Sequence, residues 1–135
     1  MQILLRSFFV FALASFPFCA TAMDVTTYRN FIQKSKFNSA DSQYYRGVLL
    51  GYHQGLTEAF IQITDVNKGV INFNGNSFVC IPPSVKITPK IIEAAIDSAL
   101  QSKFNREFMG EDWEKVMVGT FAYMGLWELF PCKQP

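Results

Sequence analysis

Few side chains in this sequence could carry chemistry. There is one histidine, His53, and there are three cysteines, Cys19, Cys80 and Cys132; the densest carboxylate group is Glu111, Asp112 and Glu114. His53 falls at the edge of an apolar helical stripe, near Leu49 and Phe60. There it is expected to be half-packed, with one nitrogen in solvent. No nucleophile and orienting group accompany it at a spacing that general acid–base or covalent catalysis needs. The three carboxylates are expected at a helix N-terminus, where they offset the positive end of the helix dipole. One histidine and a pair of bonded cysteines leave no set of nitrogen and sulfur ligands for a metal. The sequence therefore predicts no catalytic residue, no metal and no cofactor. It points to a protein that binds.

The cysteines also bear on the compartment. Arg6 precedes an apolar run from Phe8 to Phe18, and Ala20-Thr21-Ala22 places small residues at the two positions read by signal peptidase. These features together predict a signal peptide over residues 1–22 and a mature domain over 23–135. The run is too short for a permanent membrane helix, and Phe18 before Cys19 does not suit lipoprotein processing. Cys19 leaves with the signal. Cys80 and Cys132 remain in a compartment where disulfides persist, and only one pairing within the chain is open to them. The signal also removes Arg6, leaving 11 basic and 11 acidic residues. A neutral chain without a basic run has no footprint for nucleic acid or for an anionic membrane surface.

Four helical segments are expected to carry the mature chain. The first runs from Thr26 to about Lys36. The second is capped by Asp41 or Ser39 and presents Tyr45, Val48, Leu49, Tyr52, Leu56, Ala59, Phe60 and Ile63 on one stripe. It also holds Gly47, Gly51 and Gly55, each four apart. Glycine within a helix costs about 1 kcal/mol relative to alanine. The ridge predicts either close approach by another helix or subunit, or relief of crowding inside the monomer. The third helix starts with Thr88 as N-cap and Pro89 at its first position. The fourth is expected over Glu111–Leu129, with a polar link before it and Pro131 as its stop. Residues 65–87 read as a long irregular stretch. A small hairpin is open there around Val70–Phe73, between the turn signals Asn67-Lys68-Gly69 and Asn74-Gly75-Asn76. The fold class expected is thus all-α: a small bundle of about four helices with one disulfide and a long loop between helices two and three.

In this order, three short motifs resemble a known family. Gly51-Tyr52-His53-Gln54-Gly55 resembles a G-Y-x-x-G signature. Cys80-Ile81-Pro82, with Val85-Lys86-Ile87-Thr88-Pro89 after it, resembles a C-x-P…V-x-x-T element. Phe130-Pro131-Cys132 resembles a terminal F-P-C. The set is similar to the Rap/Tai-type immunity proteins, which neutralise peptidoglycan amidase effectors of bacterial type VI secretion. The resemblance implies a helical periplasmic protein, often a homodimer, that blocks the active-site cleft of a cognate amidase toxin. Partner contacts are expected at the loop residues Asn72, Asn74, Asn76 and Ser77, whose amides and hydroxyl make hydrogen bonds without burying charge. Helix packing or a dimer surface is expected at Gly47, Gly51 and Gly55. The alternative class is a periplasmic stress or holdase chaperone with one disulfide. Such proteins are usually rich in charge, whereas this chain is 17% charged and 16% aromatic.

Overall fold

The computed structural model describes residues 22–133; the expected signal peptide, residues 1–22, lies almost wholly outside them. Five α-helices and one hairpin follow in order: α1 (Val25–Ser35), α2 (Ala40–Val66), β1 (Val70–Phe73), β2 (Asn76–Cys80), α3 (Pro89–Gln101), α4 (Lys103–Met109) and α5 (Val118–Leu129), with a 3-10 turn over Trp113–Lys115. The fold is mostly helical rather than all-α, because the stretch expected to be irregular folds back on itself as an antiparallel pair. No described helix is long and apolar enough to cross a membrane.

Local chemistry sets most helix starts. Asp24 Oδ1 accepts from Thr27 N at 2.7 Å ahead of α1. Ser39 rather than Asp41 caps α2, its hydroxyl accepting from Ser42 N in a reciprocal box with the Ser42 side chain. Thr88 Oγ1 accepts from Ile91 N, and Pro89 opens α3 as expected.

Two boundaries differ from expectation. The polar link forms α4, capped by Ser102 Oγ to Asn105 N and ended at Gly110, whose φ is 83°. The last helix starts at Val118, seven residues later than its apolar pattern suggests. The reason is tertiary. Val116 and Met117 are extended and pair with the N-terminus: Val25 N donates to Val116 O at 3.1 Å, and Val118 N to Met23 O at 2.9 Å. Glu111, Asp112 and Glu114 therefore surround a 3-10 turn instead of opening a helix. Glu114 meets Arg29 at 3.1 Å, and Asp112 meets Lys115 at 2.7 Å.

The core lies among α1, α2, α3 and α5. Tyr28, Leu49, Phe60, Ile92, Ile96, Phe121 and Leu126 are buried there, joined by Ile71 and Val79 from the hairpin. α3 and α5 run side by side in the same direction. Gly125 crosses so close to α3 that a Cβ on it would land on the Ala95 carbonyl. Ser98 and Asn105 both reach Glu128, at 2.9 and 2.7 Å.

Candidate partner-binding site

The hairpin is built from a two-residue turn. Asn74 and Gly75 both take positive φ, 49° and 81°, the conformation that a tight hairpin connection demands and that Asn-Gly tolerates best. Phe73 faces Asn76 across the turn, and Asn72 faces Ser77. Between Ile71 and Asn72 the register shifts, leaving Phe78 as an extra residue on β2. Phe78 packs edge-on against Trp127, with ring centroids 5.5 Å apart. Ile71 and Val79 anchor the inner half in the core. Everything beyond the bulge, residues 72–77, is exposed.

All four residues expected to meet a partner, Asn72, Asn74, Asn76 and Ser77, thus come together on the outer half of one hairpin. Ser77 Oγ donates to Asn72 Oδ1 at 2.8 Å, which fixes two of them relative to each other. No ionisable group lies among residues 72–77, so docking this surface desolvates amides and a hydroxyl but no charge. Sequence reasoning missed Phe73, which is 61% exposed. As the second residue after buried Ile71 it belongs to the inward set by alternation. The bulge and the outward reach of the hairpin defeat that pattern.

The base of the hairpin is held by the chain's end. Cys80 and Cys132 form the expected disulfide. Backbone pairing flanks it: Cys80 N donates to Phe130 O at 2.8 Å and Cys132 N to Phe78 O at 3.1 Å. The tail therefore lies along the outer edge of β2 and pairs with it through a single antiparallel bridge, Val79 with Pro131. Closing a loop of this length is worth about 4 kcal/mol by the chain-entropy account. What is clamped is the inner half of the hairpin, and the tip inherits its position from it.

The lone histidine is elsewhere. His53 is 5% exposed, not half in solvent, and its Nε2 lies 2.9 Å from the hydroxyl of Tyr28, itself 1% exposed. Burial holds the imidazole below its ordinary pKa, against the opposing pull of Glu93 and Asp97. Burial also raises the Tyr28 phenol, helped by the same two carboxylates. The Asp97 carboxyl is raised by partial burial and by Glu93. The pair ties α1 to α2 across the core.

Gly47, Gly51 and Gly55 are exposed on the opposite face of α2, with no atom within 4 Å of where a Cβ would stand. Relief of crowding among the described residues therefore does not explain them, and no described helix covers them. Ala59 and Ile63, expected on the inward stripe, are also exposed.

Fold and hairpin together define a disulfide-closed helical domain with a projecting, uncharged hairpin. Comparison with known protein families, with characterised proteins and with solved structures finds no match to this chain.

Proposed function

We propose that this protein is a periplasmic immunity protein that binds and occludes the active-site cleft of a peptidoglycan amidase delivered by type VI secretion. One observation carries the reading: the clamped hairpin holds Asn72, Asn74, Asn76 and Ser77 out from the body, beside the exposed ring of Phe73. A polar, neutral tip with one aromatic anchor suits insertion into a cleft, since hot spots favour aromatic anchors within hydrogen-bonding surrounds. Export over residues 1–22 places the inhibitor where an amidase meets its substrate. The disulfide is compatible with such an oxidising compartment. The three motifs quoted above support the same family. In this reading the exposed glycine face of α2 receives a second copy of the chain.

The test uses the oxidised protein and the amidase encoded beside it. Near-stoichiometric protein is expected to stop muropeptide cleavage. A combined Asn72→Ala, Phe73→Ala, Asn76→Ala and Ser77→Ala variant, with Asn74→Gly to keep the turn, is expected to lose inhibition with little change in melting temperature. An amidase that is neither bound nor inhibited ends the proposal.

A further inference from the structure

Asn74 and Gly75 stand exposed at the tip of the hairpin and form the single Asn-Gly step of the sequence. Such a step can react with itself. The backbone nitrogen that follows an asparagine is within reach of that side chain's amide carbon, and attack within one molecule gains from proximity. Glycine is the least obstructed case, because it adds no side chain beside the nucleophile. Among the described residues, Gly75 N donates no hydrogen bond and the Asn74 side chain makes none. Nothing lies within 4 Å of where a Cβ on Gly75 would stand. Both reacting groups are free and open to solvent.

The closed turn nevertheless holds them apart. Asn74 has φ 49° and Gly75 φ 81°. In that left-handed geometry Cβ lies beside its own carbonyl oxygen, so the next nitrogen points away from the side chain. The two can meet only when the tip opens. Little opposes opening: residues 72–77 bury no side chain. Among the described residues, the bond from Ser77 Oγ to Asn72 Oδ1 at 2.8 Å is the one side-chain hydrogen bond across the tip. A hairpin without a packed face is marginal in water, and segments with few buried contacts open at low cost. Ile71, Val79 and the disulfide hold the base meanwhile.

We propose that Asn74 is a self-modification site, converted to isoaspartate and aspartate from the opened tip. Gly75 N gives its proton to hydroxide and attacks Asn74 Cγ. A new C–N bond closes a cyclic imide, the bond from Cγ to Nδ2 breaks, and ammonia leaves. Water then opens the imide. Attack at the original backbone carbonyl carries the chain on through Cβ as isoaspartate, and attack at Cγ gives aspartate. Isoaspartate adds a backbone carbon to a connection built for two residues. Either product puts a carboxylate on a tip that otherwise has no charge among residues 72–77. On the function proposed above, this retires the docking surface as the molecule ages; the conversion itself does not rest on that function.

The experiment incubates the oxidised protein in warm, mildly alkaline buffer. Peptide mass spectrometry follows the exchange of NH2 for OH at each asparagine, and isoaspartyl methyltransferase labelling counts the isomer. Asn74 is expected to convert ahead of Asn38 and Asn76, which are also exposed and are each followed by serine. Isoaspartate is expected as the major product, at a rate that rises with pH. The chain unfolded in urea should convert at Asn74 about tenfold faster than the folded one, the ratio reporting how often the tip opens. Ser77→Ala, which removes the bond across the tip, should speed conversion in the folded protein about threefold. An Asn74 that stays intact when folded while the unfolded chain converts fully, earlier conversion at Asn38 or Asn76, or an unchanged rate in Ser77→Ala would each overturn the proposal.

Discussion

On α5, Gly125 lies against α3 so closely that a side chain would collide with the Ala95 carbonyl; on α2, Gly47, Gly51 and Gly55 look outward with nothing near them. Both helices accept the same local cost, about 1 kcal/mol for each glycine relative to alanine. At Gly125 the return is visible inside the protomer. It lets two helix backbones meet, and the seam is extended by Ala99 and Ala122, both fully buried. At the α2 glycines no return is visible, because that face is opposite the one holding Leu49, His53 and Phe60. A helix exposed along its length is ordinarily filled with strong helix formers, since packing does not decide there. The same residue type therefore separates a contact the chain makes with itself from a face that the described residues leave open.

The largest effect is expected at the seam. Gly125→Ala should lower unfolding free energy by about 3 kcal/mol, because backbone rather than a pliable side chain stands in the way. Urea unfolding followed by circular dichroism measures it, and a loss below about 1 kcal/mol would mean that α3 and α5 separate freely. The outward glycines should respond with the opposite sign. Replacing Gly47, Gly51 and Gly55 together with alanine should stabilise the protomer by about 3 kcal/mol through helix propensity. If a second copy covers this face, the same variant should sediment as a monomer where the parent is a dimer. A variant that gains stability and still dimerises would move the dimer contact off α2. A smaller loss is expected from Asn105→Ala, next to the seam. Asn105 is 3% exposed, and its amide donates to Ala99 O at 3.3 Å and to Glu128. Removing it takes this donor from the Ala99 carbonyl, while exposed Glu128 keeps its bond from Ser98, for about 1 kcal/mol in the same unfolding measurement.

How far these features were readable in the sequence depends on whether their cause is local. Thr88-Pro89 announces α3, and Asn74-Gly75 announces the turn that gathers the candidate contact residues, because in each case neighbouring side chains and backbone satisfy one another. With Cys19 assigned to the expected signal, Cys80 and Cys132 leave one pairing, so the staple is readable by count. The start of α5 is not readable. Trp113, Val116 and Met117 continue the helical apolar spacing of the segment after them, and pairing of Val116 and Val118 with Val25 and Met23 withholds helical geometry from it. Phe73 is missed for a related reason: alternation alone would turn it inward with Ile71, but the bulge between Ile71 and Asn72 and the reach of the hairpin decide exposure. The glycine ridge was visible at once. Which of its two readings applies was not, because crowding is a property of neighbours that a sequence does not place.

The inward face of α2 supplies the remaining test, which also separates the proposed inhibitor from an acid-stress chaperone. His53 has a folded-state pKa below its ordinary 6.5 because it is buried against Tyr28. The unfolded chain therefore binds a proton more readily than the folded one. The contribution is fully present above pH 6.5 and is lost as pH falls below it. Asp97 works the other way. Its raised carboxyl costs stability at neutral pH, and that cost is relieved as pH falls toward its ordinary value of 3.8. Chemical unfolding should therefore show stability declining as pH falls below 6.5, with the Asp97 part offsetting that decline as pH falls on toward 3.8. Asp97→Asn removes that offset, and a charge that opposes burial at His53, and should steepen the decline, whereas a His53→Gln variant should flatten it while lowering stability at every pH through the altered bond to Tyr28. A holdase that loosens to expose its core would instead give a cooperative transition at about pH 2–3, with dye binding and protection of an aggregating client. A molecule still folded there, its α1 held on α2 by other contacts such as Phe31 against Tyr45 and Arg46 Nε on the Ser35 carbonyl, would be a rigid binder rather than an acid-released one.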